Sequence, residues 1–397
     1  MIGTSLLFSG SIGGLISPFD TIAPTAGYSL RALTLSYTGA VVRVRRDGDG
    51  AEQDFTSTQI TNGDLEAFLN VPAQSEHTVD VYLDLKRGIV PLTKPTQFYN
   101  FEDVSLVSDC FTGGSGTMES YDSLFSMIDH NTKVYYDLDF SSLKTDASLV
   151  SPLNSGSSGV LEAFTTRNEL IGQSNGFVHT WYDQSGNGYH AVQVTDTDQP
   201  KIWDSVTGLV TENGKPALDF DGVDDFFIIP DFSHSTTLLC TTIVQNPDSI
   251  VSEVMFAHYR TDNNQRSFTV RFFGNSYGYQ TSSNGTAFTI LNSNEITSSQ
   301  TVYFSQYDGS QTGLNRVKGY VNGSQITYSE DGISTESLPS SVHSSTADFT
   351  IGAFLSAAST GSGNYDGNMQ ELIFYDADQS ANRTAIEDNI NNYYDIY

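Results

Sequence analysis

Apolar and polar residues alternate with the period of a β-strand along most of this chain. Ala32, Leu33 and Leu35 lead to Tyr37-Thr38-Gly39. Val41-Val42-Arg43-Val44-Arg45-Arg46 then sets Val42 and Val44 on one side and Arg43 and Arg45 on the other, as a half-buried strand requires. Asp47-Gly48-Asp49-Gly50 reverses the chain, so Glu52 and Asp54 return on the paired strand and meet the two arginines across the hairpin. From about residue 176 the rhythm is strand, turn, strand. The alternation predicts strands over 177–182, 216–220, 226–229, 236–244, 254–259, 267–273, 301–307, 317–321, 349–353 and 367–375. Turns are predicted at Asp221-Gly222, Asn284-Gly285, Asp308-Gly309 and Asn322-Gly323. Strands at this spacing predict a two-sheet sandwich. At the end the period becomes helical: Asp378 or Ser380 supplies a cap, and Ile386, Ile390 and Tyr393 form a ridge that packs back on the sandwich.

Two stretches depart from this rhythm. Residues 1–26 mix small and apolar residues with Gly10, Gly13, Gly14, Pro18 and Pro24 and keep neither period, which reads equally as an arm that docks on a neighbour and as a flexible tail. Residues 67–158 alternate strand-like segments (78–85 and 133–140) with irregular ones such as Thr112-Gly113-Gly114-Ser115-Gly116, and a helix is predicted over 120–129 from Leu124, Phe125 and Ile128. Asp64-Leu65-Glu66-Ala67-Phe68 before this stretch is echoed by Val160-Leu161-Glu162-Ala163-Phe164 after it, as when a lobe interrupts a continuous unit. The expected organisation is an arm (1–26), first jelly-roll strands (27–66), an inserted β-rich lobe (67–158), and a main jelly roll with its C-terminal helix (159–397).

Composition strengthens the all-β reading, with 34 glycines and 12% aromatic but only 16% charged residues in 397. The formal charge of -29 repels phosphate backbones and anionic bilayers, so nucleic acid is not an expected partner, and no apolar run reaches the ~20 residues of a membrane span. Cys110 and Cys240 are too few for a disulfide framework; one bridge between them stays open. Met1 to Phe8 lacks the basic start of a secretory signal, while the Lys-poor, Ser/Thr/Asn-rich surface is that of a protein working outside cells. A virion component released by lysis reconciles the two.

One motif organises the rest. In Trp181-Tyr182-Asp183-Gln184-Ser185-Gly186-Asn187-Gly188 two aromatics run into a sharp turn, with Trp181 assigned to the core and Asp183, Ser185 and Asn187 to holding the turn through side-chain to backbone hydrogen bonds. Together with Gln199-Pro200-Lys201-Ile202, Asn213-Gly214-Lys215-Pro216-Ala217, Phe220-Asp221-Gly222 and the ending Tyr365-Asp366-Gly367-Asn368-Met369-Gln370-Glu371-Leu372-Ile373-Phe374-Tyr375, it resembles the concanavalin A-like, laminin-G-like jelly-roll superfamily. The opening Tyr28-Ser29-Leu30-Arg31, Tyr37-Thr38-Gly39 and Val42 to Arg46 resembles the α-L-arabinofuranosidase B catalytic module and phage virion proteins on the same frame. In that family the opening runs on to the Trp-Tyr-Asp-Gln-Ser-Gly element within a few tens of residues; here a long segment intervenes. The resemblance implies an all-β concanavalin A-like jelly roll. It also implies a tail-fibre, head-fibre or decoration subunit that meets other virion proteins through the arm, self-associates (a trimer favoured), and presents a surface to host glycans.

Catalysis is weighed at the carboxylates, since glycoside cleavage needs two of them about 5 to 10 Å apart. Asp219, Asp221 and Glu371 are the ones in well-placed strands; Asp221 and Asp224 read as turn closers and Glu371 as solvent-facing, so no catalytic residue is assigned and glycosidase activity remains the alternative, beside a bacterial surface lectin. The seven histidines lack zinc spacing, and no Gly-x-Ser-x-Gly element opens a helix. Asp221, Asp224 and Asp225 are hard oxygen donors in a short span and make calcium the one cofactor to consider. For a sugar platform the candidates are Trp203, Tyr277, Tyr279 and Tyr307, read as lying at strand ends or in loops with Asn275 or Asn284 nearby.

Overall fold

The computed structural model describes residues 17–48, 50–69, 174–295 and 298–397, and the backbone of the strands Val79–Tyr82, Leu124–Asp129, Lys133–Asp137 and Leu143–Lys144. Contacts divide the chain into two units, Met1–Leu65 with Asn175–Tyr397, and Glu66–Ser174. The described strands of the second unit form a four-stranded antiparallel sheet. The helix expected over 120–129 is a strand, Leu124–Asp129, paired on both sides. Leu124, Phe125 and Ile128 alone fit either period, and pairing with the Tyr135-Tyr136 strand decides between them.

The larger unit is an all-β jelly-roll sandwich closed by a helix. Its first sheet runs Leu218–Asp221, Asp366–Tyr375, Leu238–Pro247, Thr301–Asp308, Val317–Val321, Ser324–Ile326, with Ala26–Ser29 pairing beside Leu218–Asp221 along the same edge of Asp366–Tyr375. The second sheet runs Phe227–Ile229, Phe349–Ile351, Val254–Arg260, Gln265–Phe273, Ser276–Gly285, Thr289–Ser293, Tyr328–Glu330. Gly176–Trp181 pairs with Val42–Arg46, Lys201–Asp204 and Ala191–Val192, and so ties the opening hairpin to both sheets. The strands Ser276–Gly285 and Thr289–Ser293 escaped the sequence pattern, because Gly278 and the run Ser282-Ser283-Asn284 read as turn chemistry.

Alternation gives each strand two distinct faces. Phe374 of the first sheet meets Phe256, Phe268 and Phe349 of the second at ring-centre distances of 5.5, 6.1 and 6.0 Å, which fixes the inner faces. On the opposite face of the first sheet, Cys240, Val244, Phe304, Ile373 and Tyr375 pack with Ile386, Ile390 and Tyr394 of the helix Arg383–Tyr394. That helix begins after Asn382, whose side chain makes no cap bond; Asp378 instead accepts from the Ser380 amide at 2.8 Å, one turn upstream. Cys240 is a buried free thiol; Cys110 lies outside the described residues.

The turn after Trp181 is held as its sequence requires. The Asp183 carboxylate accepts from the amides of Gly27 (2.9 Å), Ser185 (2.9 Å) and Tyr189 (3.0 Å) and from the Ser185 hydroxyl (2.7 Å). Gly186 and Gly188 sit at φ 90° and 78°. Trp181 is buried against Tyr28 and Phe227. Arg43 pairs with Asp54 across the hairpin (2.7 and 3.1 Å), but Arg45 turns away from Glu52 to Gln199 and Asp196 and lies over the Phe177 ring. The described part of the segment 1–26, from Ser17, packs on its own fold: Phe19 is buried with Leu33 and the C-terminal helix rather than presented to a neighbour. Residues 1–16 lie outside the described residues.

Candidate functional site

The aromatic platform expected from sequence does not exist on the surface. Tyr277 and Tyr279 lie within the strand Ser276–Gly285 on its inner face; Tyr277 packs on Tyr303 at 4.4 Å and Tyr279 on Tyr307 at 6.4 Å. All three candidates, Tyr277, Tyr279 and Tyr307, are buried. Two of the hydroxyls are spent inside: Tyr277 bonds Thr301 (2.7 Å) and accepts from Gln245 (3.0 Å), and Tyr307 donates to the Pro339 carbonyl (2.7 Å). Trp203 is 8% exposed. Asn284 accepts from the Thr286 and Ala287 amides and so closes its turn.

Glu371 is likewise interior, not solvent-facing. Its carboxylate is fully buried and takes Arg31 Nε (2.7 Å) and Nη2 (3.0 Å), the Ser29 hydroxyl (2.9 Å) and the Tyr394 hydroxyl (3.2 Å). Arg31 also donates to Asn389 at 2.8 Å. This network joins the first strand, the closing strand and the C-terminal helix, and every lone pair it uses is lost to catalysis.

The three predicted calcium donors do come together: oxygens of Asp221, Asp224 and Asp225 lie within 4.8 Å of one another. Asp221 accepts from the amides of Val223 (2.8 Å) and Asp224 (3.3 Å), and Asp225 accepts from the Asp221 amide (3.0 Å). Burial first, then the charge of Asp221 and Asp224, pushes Asp225 up to about 7. Asp219, Asp366 and Glu253 are raised too, each chiefly by burial. The donors suit a hard cation, but three carboxylates fall short of the six to eight oxygens calcium takes, and backbone amides already hold two of them.

The outer face of the second sheet carries a different chemistry, one not anticipated. With Phe256, His258, Phe268 and Tyr279 turned inward, alternation turns Ala257, Tyr259, Thr269, Arg271, Gly278 and Gln280 outward. A register shift between Arg266 and Phe268 brings Arg266 onto this face opposite Tyr259. Arg271 is 7% exposed and donates to Gln280 Oε1 (3.0 Å) and Ser252 Oγ (2.8 Å); Gln280 in turn donates to the Tyr259 hydroxyl (3.0 Å). Burial holds Arg271 below its usual pKa and raises Tyr259, which Arg266 and Arg271 partly offset. Phe273 lies 5.1 Å from the Arg271 guanidinium, Phe288 5.9 Å from Arg266, and Phe354 5.4 Å edge-on to Tyr259; these three phenyl rings are half-buried. The result is a hydrogen-bonded polar floor, itself buried, beneath half-buried aromatic rims on the outer face of a sheet. The signal was present in Ser267-Phe-Thr-Val-Arg-Phe-Phe273 and Tyr277-Gly-Tyr-Gln280, where polar residues alternate with aromatics. The tyrosines and Phe268 are the half that faces the core.

No protein-family model matches this chain, and no curated protein matches it. Solved structures do. A GH54 α-L-arabinofuranosidase soaked with a cyclic sulfate inhibitor aligns with 94% of this chain and 64% of its own at 12% identity and TM-score 0.47. An arabinofuranosidase complexed with arabinofuranosyl-α-1,2-xylobiose gives 12% identity over the same shares and TM-score 0.46. The Ruminococcus gnavus IT-sialidase CBM40 bound to α2,3-sialyllactose aligns with 38% of this chain and 82% of its own, at 12% identity and TM-score 0.30. The chain thus spans 64% of the length of the arabinofuranosidases it is similar to. The structural neighbours are carbohydrate-binding and glycosidase β-sandwiches; none of these three is a virion protein.

Proposed function

We propose that this chain is a non-catalytic glycan-attachment protein, and that it serves on a virion as a tail-fibre, head-fibre or decoration subunit. The observation that carries the attachment reading is the outer face of the second sheet, where Arg271, Gln280 and Tyr259 form a fixed polar floor between Phe273 and Phe354. Sugar recognition needs flat apolar edges beside preset donors and acceptors, and this face has both. The burial of Glu371 under Arg31 supports binding over hydrolysis. The virion part rests on the likeness of the opening segment to phage structural proteins, with virion partners and a homo-oligomer following from it. A glycan array probed with the full chain is expected to give hits that Gln280→Ala weakens at least tenfold; an array blank at high protein concentration overturns the attachment reading. Electron microscopy of particles from a phage lacking the gene, with and without the protein supplied, tests the virion role.

One observation favours hydrolysis instead. Asp225, pushed to about 7 chiefly by burial, stands beside Asp221, and a carboxyl raised into the neutral range next to a second carboxyl group is how a general acid and its partner are arranged. Release of reducing sugar from arabinan or another polysaccharide, abolished by Asp225→Asn, would replace the attachment reading.

A further inference from the structure

We infer that the glycan recognised on this face is acidic, with Arg271 as the counter-ion of a sugar carboxylate or sulfate; this rests on the attachment reading above. Charge bookkeeping isolates the residue. In a chain with 47 acidic and 18 basic residues, a carboxylate is the ordinary fate of a cation. Arg31, Arg43, Arg45, Arg260 and Arg383 each have one within 4.0 Å. Among the described residues Arg266, Arg271 and Arg316 have none; Arg266 and Arg271 share one face, and of the three only Arg271 is buried. A buried guanidinium held only by neutral oxygens has lost its hydration without gaining a counter-charge, an arrangement that an incoming anion corrects.

The surroundings fit a sugar that carries that anion. Arg271, Gly278 and Asn292 are directly paired neighbours in one row across three strands. Two strand spacings put Arg271 and Asn292 about 10 Å apart, a span on the scale of one pyranose ring, and glycine leaves the middle of the row without a side chain of its own, flanked by Phe273. Asn292 gives its amide hydrogen to Asp331 at 2.9 Å, while its Oδ1 is buried with no partner, an acceptor waiting for a hydroxyl. Of five guanidinium N–H groups, Arg271 spends its contacts on the Phe272 carbonyl, Gln280 and Ser252, which leaves an Nη1 hydrogen uncommitted. One end of the row therefore donates to an anion, and the other accepts from a hydroxyl. The net charge of -29 over the rest of the molecule makes the attraction local to this row.

The experiment is calorimetric titration of the full chain with four probes: oligogalacturonate, its methyl ester, a sulfated galactan oligosaccharide, and the desulfated oligosaccharide. At least one acidic probe is expected to bind ten times more tightly than its neutral counterpart. Which of the two does so tells carboxylate from sulfate. Arg271→Gln is expected to remove that tenfold preference, and Gly278→Leu to block all binding. The wild-type comparison of each acid with its neutral form needs no variant and stands even where a substitution fails to fold. Equal binding of acidic and neutral probes, or an acid preference that survives in a folded Arg271→Gln, overturns the acidic class and leaves the attachment reading in place. No binding by any probe, together with a blank glycan array, overturns both.

Discussion

Arg31 and Arg271 are buried to the same degree, 8% and 7% exposed, yet one is a staple and the other a binding group. Arg31 meets the Glu371 carboxylate with both arms of its fork and donates a further bond to Asn389. Burial opposes its charge, but Glu371 more than offsets this and raises its pKa. Arg271 has the same desolvation and only Gln280, Ser252 and a carbonyl to set against it, so its pKa falls. A buried cation with a matched anion fixes strands and a helix; one without holds an unmet demand at a surface. The first is indispensable to the fold, and the second should not be.

The largest test of this contrast is Glu371→Gln. It leaves Arg31 buried without its anion, and breaking such a pair costs about 3–5 kcal/mol. Urea unfolding should register that loss, and a loss below about 1 kcal/mol would mean that the network is ornamental. Asp183→Ala comes next. It removes a carboxylate that accepts from three backbone amides and a hydroxyl, and leaves the Gly27 amide unmatched in the core. About 2–3 kcal/mol is expected from hydrogen bonds to a charged acceptor. If the variant keeps its melting temperature, the Trp181 turn is not what pins the opening strand.

Asp225 sharpens the contrast from the acidic side, as a buried charge with like charges for neighbours. Its folded pKa near 7 lies above the ordinary carboxylate value, so the folded state binds the proton more tightly. Stability from this group is therefore fully present below about pH 4, and is lost as pH rises toward 7. Asp225→Asn keeps an acceptor for the Asp221 amide and needs no proton. It should raise stability by roughly 2 kcal/mol at pH 7.5 and by nothing measurable at pH 4. Millimolar calcium added to the wild type should raise its melting temperature if the three carboxylates hold the ion; an unchanged melting temperature in calcium and in chelator removes that reading.

The sandwich was legible in the sequence because its strands alternate and its turns carry Asn-Gly and Asp-Gly; Val317–Val321 and Thr301–Asp308 fall where the pattern puts them, the latter within one residue. The Trp181 turn was legible too, since Asp, Ser and Gly at those spacings have few other uses. What alternation cannot give is which face looks inward when both faces carry large residues. Ser276–Gly285 has tyrosines on one side and Gly278 and Gln280 on the other, and only the partner sheet decides that the tyrosines are core. Glu371 was misplaced for a related reason. Its partner Arg31 lies 340 residues away, and nothing local announces that the two meet.

The smallest expected effect is the most discriminating. Arg271→Met keeps the length and apolar stem of the side chain and removes the charge. It forfeits the charge-assisted bonds to Gln280 and Ser252, on the order of 1.5 kcal/mol each, and it relieves the desolvation of an unmatched guanidinium, which acts in the opposite direction. The two nearly cancel, so the midpoint of urea unfolding should move by less than the equivalent of about 1 kcal/mol. Set beside the 3–5 kcal/mol expected at Glu371, a near-zero result would mean that Arg271 contributes little to the fold and is free to serve a ligand. A loss as large as that at Glu371 would mean the opposite: the outer face would then be a second internal staple, with Gln280 and Ser252 sufficient partners for a buried cation, and the comparison between the two arginines would collapse.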